Sequence, residues 1–293
     1  MNINDEISGS AQVDTLLEQS LLELDIPPCP LILNRFTLEM NKSNLNFNRL
    51  AGIIEADVAI SASLIKTANS PFFGIRNRVR SAQEAIAILG LNATSRTLAG
   101  IILRNAFPNM PKLERFWDAS SRIAFLSGWL AKHYAIPGLL AEDAYTFGLF
   151  RDCGIPVLMK RFPHYLKVLD TANHDTERSF TEVEAAAELP TNHAMVGSLL
   201  AQSWGLPDEF FLAIRNHHDL AALNSSSPEL PLLSRQLIAT AELAEHIVQH
   251  QHGLSLTEEW PKLGEACLKL LGIEAAQLEE LYGEVARIVV AEY

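Results

Sequence analysis

Two pairs among the histidines carry a spacing with chemical meaning. His217 and His218 are adjacent. Neighbouring helical residues point about 100° apart, so this pair does not chelate an ion by itself. Two readings stand: one ring buried on a backbone carbonyl with the other at the surface, or a remnant of a ligand set. His246 and His250 stand four apart on an expected helix, a spacing that can bind metal. A solvated helix face is the expected reading there. Cys153 has Asp152 beside it, which raises a thiol pKa rather than activating it, so a core position is expected. The chain contains no G-x-S-x-G, G-x-x-x-x-G-K-[ST], H-E-x-x-H or G-x-G-x-x-G string. In "GIRNRVRS", Arg76, Arg78 and Arg80 alternate. They form either a patch for an acidic partner or a phosphate-bearing messenger, such as a nucleotide or cyclic dinucleotide, or a solvated loop.

The elements that must position these residues read as helices almost throughout. Leu33, Phe36, Thr37 and Met40 recur at three- and four-residue steps. Asp57 is an expected N-cap, with Ile60, Leu64, Ile65 and Ala68 on one face behind it. "SAQEAIAILG" predicts a capping box from Ser81 and Glu84 and a C-terminal glycine at Gly90. "TEVEAAAE" predicts a second box from Thr181 and Glu184. Near the end, Leu278, Leu281, Val285 and Ile288 are in step. Strand alternation and hairpin turn pairs are scarce. The expected fold class is therefore all-α, a multi-helix bundle with an N-terminal helical subdomain. Residues 1–10 are expected to be flexible. The punctuation at "FPNMPK" divides an N-terminal helical subdomain, 11–107, from a second subdomain with C-terminal helices, 113–293, the two packed as one unit.

Bulk properties narrow the function classes. The chain has 293 residues, 48% of them hydrophobic, enough for a large core. Its formal net charge of −12 repels a phosphate backbone and argues against general nucleic-acid binding. Three scattered cysteines form no C-x-x-C pair and suit a reducing compartment. No basic leader and no membrane-spanning apolar run is seen, so a cytoplasmic setting is expected.

Several strings together resemble the HDOD family, bacterial relatives of the metal-dependent HD phosphohydrolases. The first block is "IPPCPLILNRF", "IIEADVAISASLIKTANSPFFG" and "RVRSAQEAIAILGL", with Val58 where the family usually has proline. Proline at that position only pre-sets a helix start, so its loss costs little. The second block includes "FWDASSRIA", "AEDAYTFGLFRDCGIPVL", "NHAMVGSLLAQSWGLPDEFFLAIRNHH" and "LIATAELAEHI". The resemblance spans most of residues 25–250. Within the first block, Asn69 and Ser70 precede Pro71 and end a helix. Phe72 and Phe73 then either staple the turn to the core or form a docking knob for a partner.

The resemblance implies a site at which His and Asp side chains hold divalent metal. Carried over by position, its first His falls at Ala119, its His-Asp pair at Arg151-Asp152, and its last Asp near Glu242. Additional histidines match His193, His217 and His218. Ala119 has no lone pair, and the Arg151 guanidinium is a permanent cation without an acceptor. Repulsion between an inward Arg151 and a dication approaches ~8 kcal/mol at ~4 Å and an effective dielectric near 20. No catalytic metal and no cofactor are expected. If a metal is held, its ligands are Asp152, His193 and His217. Arg151 either takes the metal's place, pairing with Asp152 or Glu242, or points to solvent while Asp152 caps a turn. His193 could equally pair with Asp152.

The expected function is a non-catalytic bacterial signalling or regulatory module acting through protein partners or a ligand. A divergent metal-dependent phosphohydrolase with a weakened site is the alternative. A third reading is a sensor whose Arg151 holds an anion in the vacated pocket. With no sensory or effector domain visible in the chain, a signal is expected to arrive through a ligand or partner.

Overall fold

The computed structural model describes residues 23–70, 78–107, 113–224, 230–253 and 255–290. The segment expected to be flexible, 1–10, lies outside them, as do Phe72, Phe73 and Arg76. Among the described residues there is no strand. The N-terminal helices are α1 (Leu31–Met40), α2 (Phe47–Glu55), α3 (Val58–Ala68), α4 (Ala82–Leu89) and α5 (Leu91–Asn105). There follow α6 (Glu114–His133), α7 (Ala141–Phe150), α8 (Gly154–Arg161), α9 (Tyr165–His174) and α10 (Phe180–Ala186). The remainder are α11 (His193–Ser203), α12 (Asp208–Asn216), α13 (Leu220–Leu223), α14 (Leu232–His252), α15 (Trp260–Leu271) and α16 (Gln277–Val290). No helix among the described residues is long and apolar enough to cross a membrane.

Local chemistry sets the helix starts. The Asp57 carboxylate accepts from the N–H groups of Ala59 and Ile60, at 2.9 and 3.0 Å, and starts α3. Ser81 accepts from the Glu84 N–H, but the Glu84 carboxylate takes the N–H of Arg80 rather than that of Ser81. The expected box is therefore half formed. The second box is displaced by two residues. Ser179 and Glu182 close it, because Thr181 already lies inside α10. Glu184 is thereby left to turn inward, with a consequence described below.

The end of α3 is held by Asn69. Its amide donates to the carbonyls of Ile65 and Val79, at 2.9 and 2.8 Å, and its oxygen accepts from the Val79 N–H at 2.8 Å. One side chain thus pins the segment before α4 across a ten-residue excursion.

The largest apolar core joins the two halves, with Phe36 and Leu64 from the first and Phe147, Phe150 and Phe210 from the second. Arg96 of α5 pairs with the buried Asp143 of α7 and lies over the Phe210 ring at 5.3 Å. Helix α14 is the central post, buried at nearly every position from Ser234 to Gln249, with Arg235 and His246 partly exposed. Two glycines bring helices to backbone contact. A Cβ on Gly148 would lie 2.8 Å from the Ala124 Cα, so α6 and α7 touch there. A Cβ on Gly154 would lie 2.0 Å from the His193 carbonyl oxygen, so α8 begins directly on the start of α11.

The pair His246 and His250 is not a solvated face. His246 stacks on Trp260 with centroids 4.2 Å apart and bonds the Tyr282 hydroxyl at 2.6 Å; His250 is exposed but stacks on Tyr282 at 4.0 Å. These rings fasten α15 and α16 to α14.

Two outcomes test this packing. Asn69→Ala removes three part-buried hydrogen bonds and is expected to lower unfolding free energy by about 2–3 kcal/mol in urea, while the exposed Asn34→Ala changes it little. Burial, aided by His250, pushes His246 down to about 4 from an ordinary 6.5. Between those values the unfolded chain binds more protons at this residue. Its stabilising share is therefore full above the ordinary value and is lost as pH falls toward the lower one. The denaturation midpoint of His246→Phe is expected to fall less between pH 7 and 5 than that of the parent.

Candidate metal centre

Four elements converge on one point. Asp152 lies in the turn joining α7 to α8, and His193 is the first residue of α11, set by Asn192, whose side chain caps that helix. His217 and His218 follow α12 and are both buried. The expectation that one of these two rings lies at the surface is thus corrected. The helix ends before them, and the turn that follows directs both rings inward.

Nε2 of His193 stands 3.4 Å from Nε2 of His217 and 3.0 Å from Nε2 of His218. Oδ1 of Asp152 is 3.1 Å from His217 Nε2 and 3.7 Å from His193 Nε2. All four ligand atoms lie within 4.8 Å of one another. Each Nδ1 is already committed. That of His217 donates to the Ile214 carbonyl at 2.7 Å, that of His193 meets Glu184 at 2.9 Å and that of His218 meets Glu259 at 2.6 Å. A carbonyl or carboxylate can only accept, so Nδ1 carries the proton and a neutral ring presents its Nε2 lone pair to the centre.

The partners of the rings are themselves fixed. Glu184 also accepts from the Tyr165 hydroxyl at 2.6 Å and the His193 N–H at 3.1 Å. Glu259 accepts from Lys262 at 2.8 Å. Burial pushes both carboxyls up, but the histidines and these donors win, and Glu259 falls to about 2. The Phe180 ring stacks on His218 at 4.9 Å and closes that side.

Burial pushes His218 down to about 3 and lowers His217, whereas His193 is raised because Glu184 and Asp152 outweigh its burial. The centre is lined by three ring nitrogens and a carboxylate. Tetrahedral donors 2.0–2.1 Å from an ion stand about 3.3 Å apart; the His193–His217, His193–His218 and Asp152–His217 separations are near that spacing, while the four atoms together spread over as much as 4.8 Å. The cluster could hold a metal ion, with three imidazole nitrogens and one carboxylate oxygen as donors. This qualifies the expectation that none is held, and it adds His218 to the ligands expected.

The second oxygen of Asp152 faces away from the rings. It accepts from Nε of Arg151 at 3.0 Å. The same guanidinium lies 3.5 Å from Glu242 and donates to Glu245. Arg151 is buried, so of the alternatives open at that position the inward one is observed. Burial alone would push the guanidinium down, but Asp152, Glu245 and Glu242 raise it further. Asp152 is held well below the usual range by Arg151 first and then His217, against its burial. Burial and Glu245 leave Glu242 well above it.

A sequence profile of the HDOD domain matches residues 26–220. The chain belongs to the HDOD family. An uncharacterised protein of Treponema pallidum is 27% identical over 252 residues, which are 81% of this chain and 45% of that protein. The chain thus spans less than half the length of that relative. A crystal structure of a candidate phosphohydrolase from Shewanella amazonensis matches with a TM-score of 0.66 and 21% identity, covering 90% of this chain and 93% of that one. A candidate signal transduction protein from Marinobacter aquaeolei matches at 0.64 and 21%, over 98% of this chain and 64% of that one. A candidate metal-dependent phosphohydrolase from Shewanella amazonensis matches at 0.58 and 17%, over 86% and 89%. These likenesses show a shared fold.

Within the HDOD fold, the position carried to Ala119 lies half-buried on α6 and contributes no polar atom. Arg78 and Arg80 are exposed on either side of the buried Val79, apart from the cluster. Sequence reasoning missed Glu184, Glu245 and Glu259. Glu245 was detectable, since it stands one turn after Glu242 on the same helix face. Glu259 lies 41 residues from His218 and has no local signal. Cys153 is fully buried, as expected, and its thiol is pushed up by burial and then Asp152.

Removing the guanidinium leaves buried carboxylates without a counter-charge. Arg151→Ala is expected to destabilise the chain by about 3–5 kcal/mol in a urea titration. Glu245→Gln is expected to cost less, because Asp152 and Glu242 remain beside the cation.

Proposed function

We propose that this HDOD protein is a non-catalytic regulatory module that holds one divalent transition-metal ion through Asp152, His193, His217 and His218. The observation that carries the reading is the position of Arg151, buried among Asp152, Glu242 and Glu245. It stands where the family resemblance places the His of the His-Asp pair. A second metal on that side would meet a fixed cation. Asp152, His193, His217 and His218 would hold the single ion, and the positions that the resemblance carries to Ala119 and Arg151 offer it no further ligand. When bound, such an ion supplies a fixed positive charge. The chain's own residues then tie the α7–α8 turn, α11 and the end of α12 into one rigid face. The two helical subdomains act as one unit, with protein partners in a signalling pathway as the recipients. The Marinobacter protein described as a candidate signal transduction protein is in keeping with this reading.

The converging rings also favour a second reading, a divergent metal-dependent phosphohydrolase, in line with the descriptions of the two Shewanella proteins. The anion-sensor reading is weaker, because three carboxylates already surround the Arg151 guanidinium. Elemental analysis of the dialysed protein separates these possibilities together with a phosphodiester assay using bis(p-nitrophenyl) phosphate and added manganese or zinc. About one equivalent of metal per chain, with no hydrolysis above the metal-only background, is expected. Glu259→Gln, which loosens the His218 ring, should weaken metal binding by about 10–100-fold. Turnover that disappears in Asp152→Asn would favour the enzyme reading instead.

A further inference from the structure

A second concave feature lies apart from the histidine cluster and shares none of its residues. It is a cleft of about 530 Å³ bounded by α3, α5, α6 and α14, with α7 as its floor. Each wall is one helical face. From α6 it takes Asp118, Arg122, Phe125 and Trp129, spaced by three or four residues, and from α5 Thr97, Ile101 and Arg104. The floor exists because α5 meets α7 closely at Gly100, where a Cβ would lie 2.4 Å from the Leu149 side chain.

The charge of this cleft runs against that of the chain. Lys66, Arg104 and Arg122 line it against the single carboxylate of Asp118, in a protein of formal net charge −12. Arg122 is aimed by two contacts, its Nε donating to Asp118 at 3.0 Å and its Nη1 standing 3.2 Å from His252 Nε2. Among the described residues the exposed side chains of Lys66 and Arg104 make no ion pair or hydrogen bond. Trp129 is half-buried, stacks on His133 with centroids 4.4 Å apart, and lines the facing wall. Ser63, Thr67, Asn105 and Gln251 add hydroxyl and amide groups between cations and rings.

We propose that this cleft is a binding site for a small phosphorylated ligand with a flat heteroaromatic ring, the chemistry of a mononucleotide. The volume is that of small-molecule sites. Lys66 and Arg104 receive the phosphate as charge-assisted donors. Trp129, backed by His133, covers the ring face, and the hydroxyl and amide groups suit a sugar. A plain acyl chain would leave the cations Lys66 and Arg104 without a counter-charge, and a helix is about 10–12 Å across with its side chains. The inference does not depend on the metal reading, since Glu242 and Glu245 face Arg151 while Val248, Gln251 and His252 of the same helix face the cleft.

Isothermal titration of the full chain with adenosine and guanosine 5′-monophosphate, adenosine and inorganic phosphate tests it. At least one nucleotide is expected to bind saturably at one site per chain. Adenosine and phosphate alone should each bind about tenfold more weakly or worse, since each engages one wall. Lys66→Ala with Arg104→Ala, both at exposed positions, should weaken the nucleotide about tenfold without moving the thermal midpoint. Trp129→Leu should also weaken it about tenfold through lost stacking. Glu259→Gln should leave it unchanged, which separates this site from the metal cluster. Lack of saturable binding at millimolar nucleotide, nucleotide binding no tighter than that of phosphate alone, or binding indifferent to loss of the two cations would each overturn the assignment.

Discussion

The two oxygens of one carboxylate set the organisation of this protein's interior. Asp152 turns Oδ1 to His217 and His193 and Oδ2 to Arg151. A buried carboxylate must be compensated, and this one is compensated from both sides. The consequence is a division of the interior into two compartments that share a wall. One is cationic and filled, with the guanidinium among carboxylates. The other is lined by three ring nitrogens and by Oδ1 of the same carboxylate.

Backbone contact keeps those compartments in register. Gly154 begins α8 against the His193 carbonyl, and a Cβ on Gly197 would reach the Cys153 sulfur at 3.2 Å. With no side chain between them, α8 and α11 cannot slide without breaking the cluster. The central α14 then supplies both carboxylates that face Arg151, one turn apart on a helix buried along its length. Its far end leaves the polar interior and joins the wall of the basic cleft, so one rigid element borders both features.

Arg151 puts a permanent cation beside Asp152, and the carboxylate of Glu245 lies against it. The histidine side has its own supports, Glu184, Glu259 and the Ile214 carbonyl, each on an Nδ1. Each ring is thereby held with its Nε2 toward the centre.

Much of the helical framework was legible from local patterns. Asp57 as a cap, the buried faces of the first helices and the half-box at Ser81 all depend on residues within one turn, and short-range chemistry determines them. The same reasoning failed at "TEVEAAAE", where a box two residues early closed first and released Glu184 to the interior. The family strings marked Arg151, Asp152 and the three histidines as a group, but left the direction of Arg151 open. Only tertiary structure decided that direction, because it depends on Glu242 and Glu245 arriving from a helix about ninety residues later. It also decided the histidine tautomers, set by acceptors as distant in sequence as Glu259, and the cleft, which exists only between helix faces that never meet in sequence. Local propensity acts over a turn of helix. Buried charge and ring orientation answer to whatever the fold brings within a few ångströms.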